Sequence, residues 1–307
     1  MGPQATPRTR VLYVLSSPHS GSTLLGIVLA HHPAIVYGGE LVEIPNPAWT
    51  DQRTCSCGLR GSDCPFWRDV QARCLASGGA VSTVPTRELD LGWKALPRAL
   101  LGPRFASAEF RRHAADVRRL AVAIGGTSGR SIVIDTSKGA PRGLAYLHGR
   151  TGEFDVQFIH LIRDGRGVVS SRKSHHIRAE ADRAWLRTAA LRYSFLWVFA
   201  NLQFTLVFSL RPDRYLRVRY EDFIADPARV LARIGSFVHL DLSGVAASVA
   251  AGESFPPGHV VAGNRMRLAG GVRVKRENGA TAPNLLPADR RVFRWVAGWY
   301  SKLNGYG

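Results

Sequence analysis

The sequence predicts an α/β protein: a doubly wound parallel sheet flanked by helices. Two observations lead there. Short apolar runs that read as buried strands alternate with helical patterns along the 307 residues, which is the rhythm of parallel βαβ units. The runs also end in polar clusters, at Ser16–Thr23, Asp135–Lys138, Arg163–Ser171 and Arg219–Asp222. In open sheets of this kind ligands bind beyond the carboxyl ends of the strands. Clusters repeated at one sheet edge therefore mark one site.

Residues 1–9 are polar and read as a frayed tail. The run Val11–Leu15 is the first strand, and it breaks into Ser16-Ser17-Pro18-His19-Ser20-Gly21-Ser22-Thr23. An apolar helix follows, from Gly21 to His31. The free N–H groups and dipole at such a helix start form an anion site. Gly21 lets the backbone approach the anion, and Ser20, Ser22 and Thr23 add hydroxyl donors. A Walker A loop needs a lysine before its hydroxyl residue, and this loop has none. A nucleoside-triphosphate hydrolase is disfavoured on that ground, although the loop remains P-loop-like.

Residues 34–45 read as a short strand that runs into Gly38-Gly39-Glu40 and then Pro45. Residues 46–80 read as an irregular, cysteine-bearing insertion and 86–125 as a helical, Arg-rich segment. Later strands are expected at Ser131–Ile134, Val156–Ile162 and Tyr215–Val218. Helices are expected at Arg142–Arg150, after Gly165, from about Ala184 to Phe204, at Pro227–Phe237 and at Pro287–Leu303. The apolar stretch Phe195–Leu210 reads as a core helix running into a strand, too short and too polar at Asn201 and Gln203 to span a bilayer. One domain over 1–307 accommodates all of this.

The net charge is +18, carried by 36 Arg and only 5 Lys. Arginine presents a permanent planar fork to phosphate and sulfate. Such an excess draws in anionic ligands, anionic lipid surfaces or, without specificity, nucleic acid. No recognition helix or RNA-binding motif accompanies the charge. No secretory signal precedes the first strand, so a cytoplasmic location is expected. Cys55, Cys57, Cys64 and Cys74 follow a C-x-C-x6-C-x9-C spacing that matches no common zinc pattern. A local disulfide or packed thiols are expected rather than a metal.

These strings together resemble the sulfotransferases that use 3′-phosphoadenosine 5′-phosphosulfate (PAPS). Pro18, Ser20, Gly21, Ser22 and Thr23 fit the family's 5′-phosphosulfate loop, whereas His19 stands where Lys or Arg is usual. Arg163 closes a strand and Ser171 lies eight residues on, about two helical turns, like the family's 3′-phosphate pair. Tyr220-Glu221-Asp222-x-x-x-Asp226-Pro227 is similar to its Y-E-D-x3-D-P string. The resemblance implies PAPS as donor and PAP as product, with Tyr220 near the adenine or its phosphate. Glu221 and Asp222 read as structural. Gly263–Arg267, Arg273 and Lys275 sit where the family closes a loop over the nucleotide. The cysteine string resembles an insertion of bacterial members and reads as structural.

Gly38-Gly39-Glu40 with Pro45 is similar to the G-E-E-x4-P string of protein-tyrosine sulfotransferases, which makes Glu40 the expected base and Glu43 the alternative. Lys138 is expected to neutralise the leaving phosphate, and His19 is the loop's own cationic candidate. The donor is already activated, so the transfer needs no metal and should survive chelation. The expected acceptor is a hydroxyl on a small molecule, sugar, natural product, lipid-linked group or tyrosine, with peripheral contact to anionic membrane a further possibility of the charge. Two other readings stand beside this one. A small-molecule kinase would take Asp135 as its magnesium carboxylate. A non-catalytic basic module would bind nucleic acid or other anions through charge alone.

Overall fold

The structure is a computed structural model that describes residues 8–44, 53–78, 106–151, 154–178, 183–275 and 285–307. In chain order its elements are β1 (Thr9–Ser16), α1 (Ser22–Leu29), β2 (Ile35–Gly39), α2 (Pro65–Ala76), α3 (Ala108–Ser128), β3 (Ile132–Lys138), α4 (Ala140–His148) and β4 (Phe154–Ile162). Then come α5 (Gly165–Arg178), α6 (Arg183–Phe208), β5 (Tyr215–Arg219), α7 (Tyr220–Ala225), α8 (Pro227–Val238), α9 (Ser243–Ala250) and α10 (Pro287–Leu303).

The strands form one sheet in the order β2-β3-β1-β4-β5, and every pairing is parallel. β1 is central because it can be buried on both faces. Val11, Tyr13 and Leu15 point into a core shared with α2, α3, α4 and α6. Leu12 and Val14 point into the opposite core, shared with α1 and α8. This period-two division of an unbroken apolar run is the mark of a strand covered by helices on both sides. From β1 the chain passes to the edge strand β2, returns through β3 and then crosses to β4 and β5 on the other side, so the switch point lies at the carboxyl end of β1.

The expected α/β architecture is the observed one, with differences in detail. The cysteine-bearing insertion is not irregular throughout, since Pro65 opens the twelve-residue helix α2. Trp67, Val70 and Cys74 form its buried face. Those residues lie three and four apart, the helical spacing, but the Gly- and Cys-dense stretch before them masks it. Of the Arg-rich segment 86–125, residues 86–105 lie outside the described residues, and its helix begins only at Ala108. The stretch Phe195–Leu210 does not run into a strand. It stays helical to Phe208, and β5 starts at Tyr215. Among the described residues no helix is long and apolar enough to cross a membrane.

Candidate functional site

The loop between β1 and α1 turns through residues of positive φ. His19 has φ 67° and Gly21 has φ 87°. Only a glycine fits at 21. A Cβ there would stand 2.3 Å from the ring of Tyr220, which lies across the loop from the first turn of α7. The loop's base is braced from within the sheet. Asn201 Nδ2 donates to Ser17 Oγ at 3.0 Å, and Asn201 Oδ1 meets His160 Nε2 at 2.9 Å. His160 Nδ1 in turn meets the Tyr215 hydroxyl at 2.6 Å. Burial pushes the His160 imidazole down to about 4, so the ring is neutral at pH 7. Ser20 is buried, and its hydroxyl has no hydrogen-bond partner among the described residues. A buried hydroxyl without a partner carries an energetic cost that a bound anion would remove.

Arg163 and Ser171 converge on this loop from two elements. Arg163, just past β4, donates from Nη1 to the His19 carbonyl at 3.1 Å. Ser171, within α5, has Oγ 3.2 Å from His19 Nδ1. The Arg163 guanidinium also lies over the Tyr220 ring, 4.5 Å from its centroid. Arg163, His19, Ser171, Gly21 and Tyr220 thus form one contiguous cluster at the ends of β1, β4 and β5.

The acidic residues around this cluster hold the frame. Asp164 accepts from the Arg166 N–H at 2.9 Å and binds its guanidinium. Glu221 accepts from the Asp164 N–H at 2.9 Å and from the Tyr306 hydroxyl at 2.8 Å. Asp222 faces Arg219 at 3.9 Å, and Asp226 caps α8 through the Arg229 N–H at 3.1 Å. Glu221 and Asp222 therefore have the structural surroundings expected of them.

On the other flank, Lys138 Nζ donates to Glu40 Oε1 in a half-buried ion pair. Lys138 ends β3 and Glu40 follows β2, and Lys138 has φ 74°, an uncommon value for a residue with a side chain. A methyl group built on Gly263 would lie 3.7 Å from Glu40 Oε1 and 3.8 Å from Thr23 Oγ1. The carboxylate and the start of α1 therefore face a common space. Glu43, by contrast, is spent on Arg53 at 2.7 Å in a partly exposed pair. Pro45 lies outside the described residues. Thr23 also meets the buried Tyr37 phenol, which burial holds well above its usual range and which bonds Thr136 at 3.0 Å.

Asp135 does not face this space. It is fully buried and receives Arg142 Nε at 2.7 Å, the Tyr146 hydroxyl at 2.8 Å and the Ser137 N–H at 2.9 Å. The Leu41 N–H adds a longer bond at 3.3 Å. With both oxygens committed, Asp135 is a structural anchor rather than the open carboxylate a kinase would need. Arg273 and Lys275 are exposed, just past the Phe255–Val272 bridge, and neither joins the cluster. Arg276 lies outside the described residues.

All four cysteines are free thiols. Cys74 packs in the core of α2, while Cys55, Cys57 and Cys64 meet His259. Sequence spacing missed His259 because it lies 195 residues from Cys64.

Residues 155–244, from β4 into α9, match the model of the sulfotransferase family. No curated protein matches the sequence. Among solved structures the chain is similar to the sulfotransferase domain from the curacin biosynthetic pathway, with 16% identity over 98% of this chain and 99% of that one and a TM-score of 0.50. It is similar to sulfotransferase STF9 from Mycobacterium avium, with 15% identity over 98% and 78% and a TM-score of 0.50. It is also similar to the sulfotransferase domain of the Synechococcus PCC 7002 olefin synthase, with 21% identity over 98% of both chains and a TM-score of 0.49. At such identities the first two likenesses bear on the fold alone. The matched segment is the one that carries Arg163, Ser171 and Tyr220-Glu221-Asp222.

Proposed function

We propose that the chain transfers the sulfuryl group of PAPS to a hydroxyl of a small-molecule acceptor, with PAP as the second product. The observation that carries this reading is the meeting of Arg163 and Ser171 at His19. A strand-end guanidinium and a helix hydroxyl eight residues apart in sequence reach the same turn of the loop. The buried Ser20 hydroxyl, without a partner among the described residues, fits the same anion. Arg163 and Ser171 would hold the 3′-phosphate, and Ser20–Thr23 the 5′-phosphosulfate. Tyr220 would lie beside the nucleotide.

In this reading Glu40 takes the proton of the acceptor hydroxyl as its oxygen bonds to sulfur. The bond from sulfur to the bridging phosphate oxygen breaks, and PAP leaves. Lys138 has three donors. It can keep its bond to Glu40 and still offer a proton to the departing phosphate. His19 and the loop hydroxyls would stabilise the sulfuryl group in flight. Arg273 and Lys275 would belong to a loop over the nucleotide. The charge of +18 favours an acceptor with an anionic or lipid-linked group. Sulfate labelling from PAPS in fractions of the producing cell, read by mass spectrometry, would identify it.

Arg163→Ala should weaken PAP by about 1.5–3 kcal/mol, the worth of a charge-assisted hydrogen bond. Calorimetry finding unchanged affinity would remove the 3′-phosphate assignment. ATP–Mg²⁺ binding in place of PAP would favour the kinase reading, and salt-sensitive DNA binding without PAP affinity the basic module. Gly21→Ala should also weaken PAP. The new methyl collides with the Tyr220 ring, and an alanine at φ 87° is strained. Calorimetry on a variant of unchanged melting temperature checks this, and wild-type affinity would contradict it.

A further inference from the structure

We propose that Cys55, Cys57, Cys64 and His259 form a closed structural zinc site, which staples the cysteine-bearing insertion to the loop over residues 258–267. Their four ligand atoms all lie within 4.8 Å of one another. Cys57 Sγ is 3.7 Å from Cys64 Sγ, and Cys64 Sγ is 3.3 Å from His259 Nδ1. Zinc bonds thiolate at about 2.3 Å and imidazole at about 2.0–2.1 Å with tetrahedral angles. Those values put sulfurs about 3.8 Å apart and sulfur about 3.5 Å from nitrogen. The measured edges are close to both, and three sulfurs with one nitrogen complete a set of a kind found in structural zinc sites. A disulfide between two of the cysteines would leave the third thiol and the imidazole unexplained.

The backbone is arranged for the same purpose. The Cys55 N–H donates to the Leu59 carbonyl at 2.8 Å, and the Gly58 N–H returns to the Cys55 carbonyl at 2.9 Å. Gly58 has φ 90°, so the chain reverses tightly around Cys57. Cys64 is the N-cap of α2, which fixes its place at the start of that helix. His259 is held in place by Ser56. The Ser56 hydroxyl donates to the Gly258 carbonyl at 2.7 Å and accepts from the Val260 N–H at 2.7 Å. The Ser56 N–H reaches the Val260 carbonyl at 2.9 Å. Phe66 stacks on the imidazole, with centroids 5.1 Å apart and planes 9° apart.

With four protein ligands no position stays open for substrate, so the metal would be structural and the sulfuryl transfer would draw no chemistry from it. Its consequence lies next door. Arg267 ties the two stapled segments through the Thr54 carbonyl at 2.6 Å and the Val260 carbonyl at 3.0 Å. The Ala262 carbonyl accepts from the Glu40 N–H at 3.2 Å. The loop that the zinc would fix is therefore the one that seats Glu40. This inference does not depend on the donor or the acceptor.

The test is metal content and spectroscopy on the full chain, produced with added zinc and purified under reducing conditions without a metal column. The expected result is one zinc per chain by elemental analysis. Cobalt substitution should give the intense visible bands of a tetrahedral ion and a thiolate charge-transfer band. His259→Ala should weaken zinc by more than about tenfold in competition with a chromophoric chelator, whereas Cys74→Ser should leave it unchanged. Stripping zinc from the reduced wild-type chain should lower the melting temperature, which keeps the test open if a cysteine variant fails to fold. Zinc far below one per chain with reduced thiols, octahedral cobalt spectra, a Cys57–Cys64 disulfide in the zinc-grown protein, or equal zinc affinity in His259→Ala would each overturn the proposal.

Discussion

Glu40→Gln is expected to lower kcat by about 10²–10⁴-fold, the range over which a positioned general base acts. PAP should bind at least as tightly as before, since the variant removes a negative charge from the neighbourhood of an anion site. The substitution keeps the size of the side chain and can still accept from Lys138, so a loss of rate reports the lost proton acceptor. Two series separate base from positioning residue. If Glu40 is the base, its deficit shrinks for acceptors of lower hydroxyl pKa, which need less help to ionise. Lys138→Met should also cut kcat, but its deficit should shrink for donors with a better leaving group. Single-turnover rates on both series check this. A Glu40→Gln deficit independent of acceptor pKa would make Glu40 a positioning residue only. Near-wild-type turnover would remove it from the mechanism. Glu43 would then be the next residue to test, although its pair with Arg53 leaves it poorly placed.

What the sequence made legible, and what it did not, follows from how local each signal is. The strand, turn and helix at Val11–Leu29 could be read because apolar period, hydroxyl-rich turn and glycine all lie within about twenty residues. The Arg163–Ser171 pair was equally local. Glu40 and Lys138 were each picked out from the turn chemistry at a strand end. Their pairing was not visible, because β2 and β3 become neighbours only in the sheet. Asp135 stood open as a metal carboxylate, since strand-end position alone cannot tell a ligand from an anchor. Burial beside Arg142 decides it. The cysteine spacing points away from zinc, while the histidine that meets three of the cysteines comes from a remote loop. Cysteine spacing carries no information about such a partner. Helix α2 was missed for a different reason: its three inward residues are too few to outweigh the turn-forming residues before it.

Asp135→Ala is expected to destabilise the fold by roughly 3–5 kcal/mol, the cost of removing one partner from a buried ion pair. Asp135 is fully buried and Arg142 is 2% exposed. Without the carboxylate the buried guanidinium loses the acceptor it bonds at 2.7 Å. The Tyr146 hydroxyl and the Ser137 and Leu41 N–H groups lose their acceptor as well. Against a typical domain stability of about 5–15 kcal/mol, such a loss is large. It should appear as a lower urea midpoint at an unchanged slope. The damage should reach the site, because Asp135 fixes Ser137, the neighbour of Lys138, and the Ser137 hydroxyl accepts from the Val42 N–H at 2.8 Å two residues from Glu40. Turnover should therefore fall with stability, and both should recover in part when Arg142→Met is added, since the second change removes the orphaned charge. A metal-binding carboxylate would behave in the opposite way. Its loss would abolish activity at unchanged stability, and Arg142→Met would restore nothing. An Asp135→Ala variant with a wild-type urea midpoint would show that the anchor assignment is wrong and return Asp135 to the reacting groups.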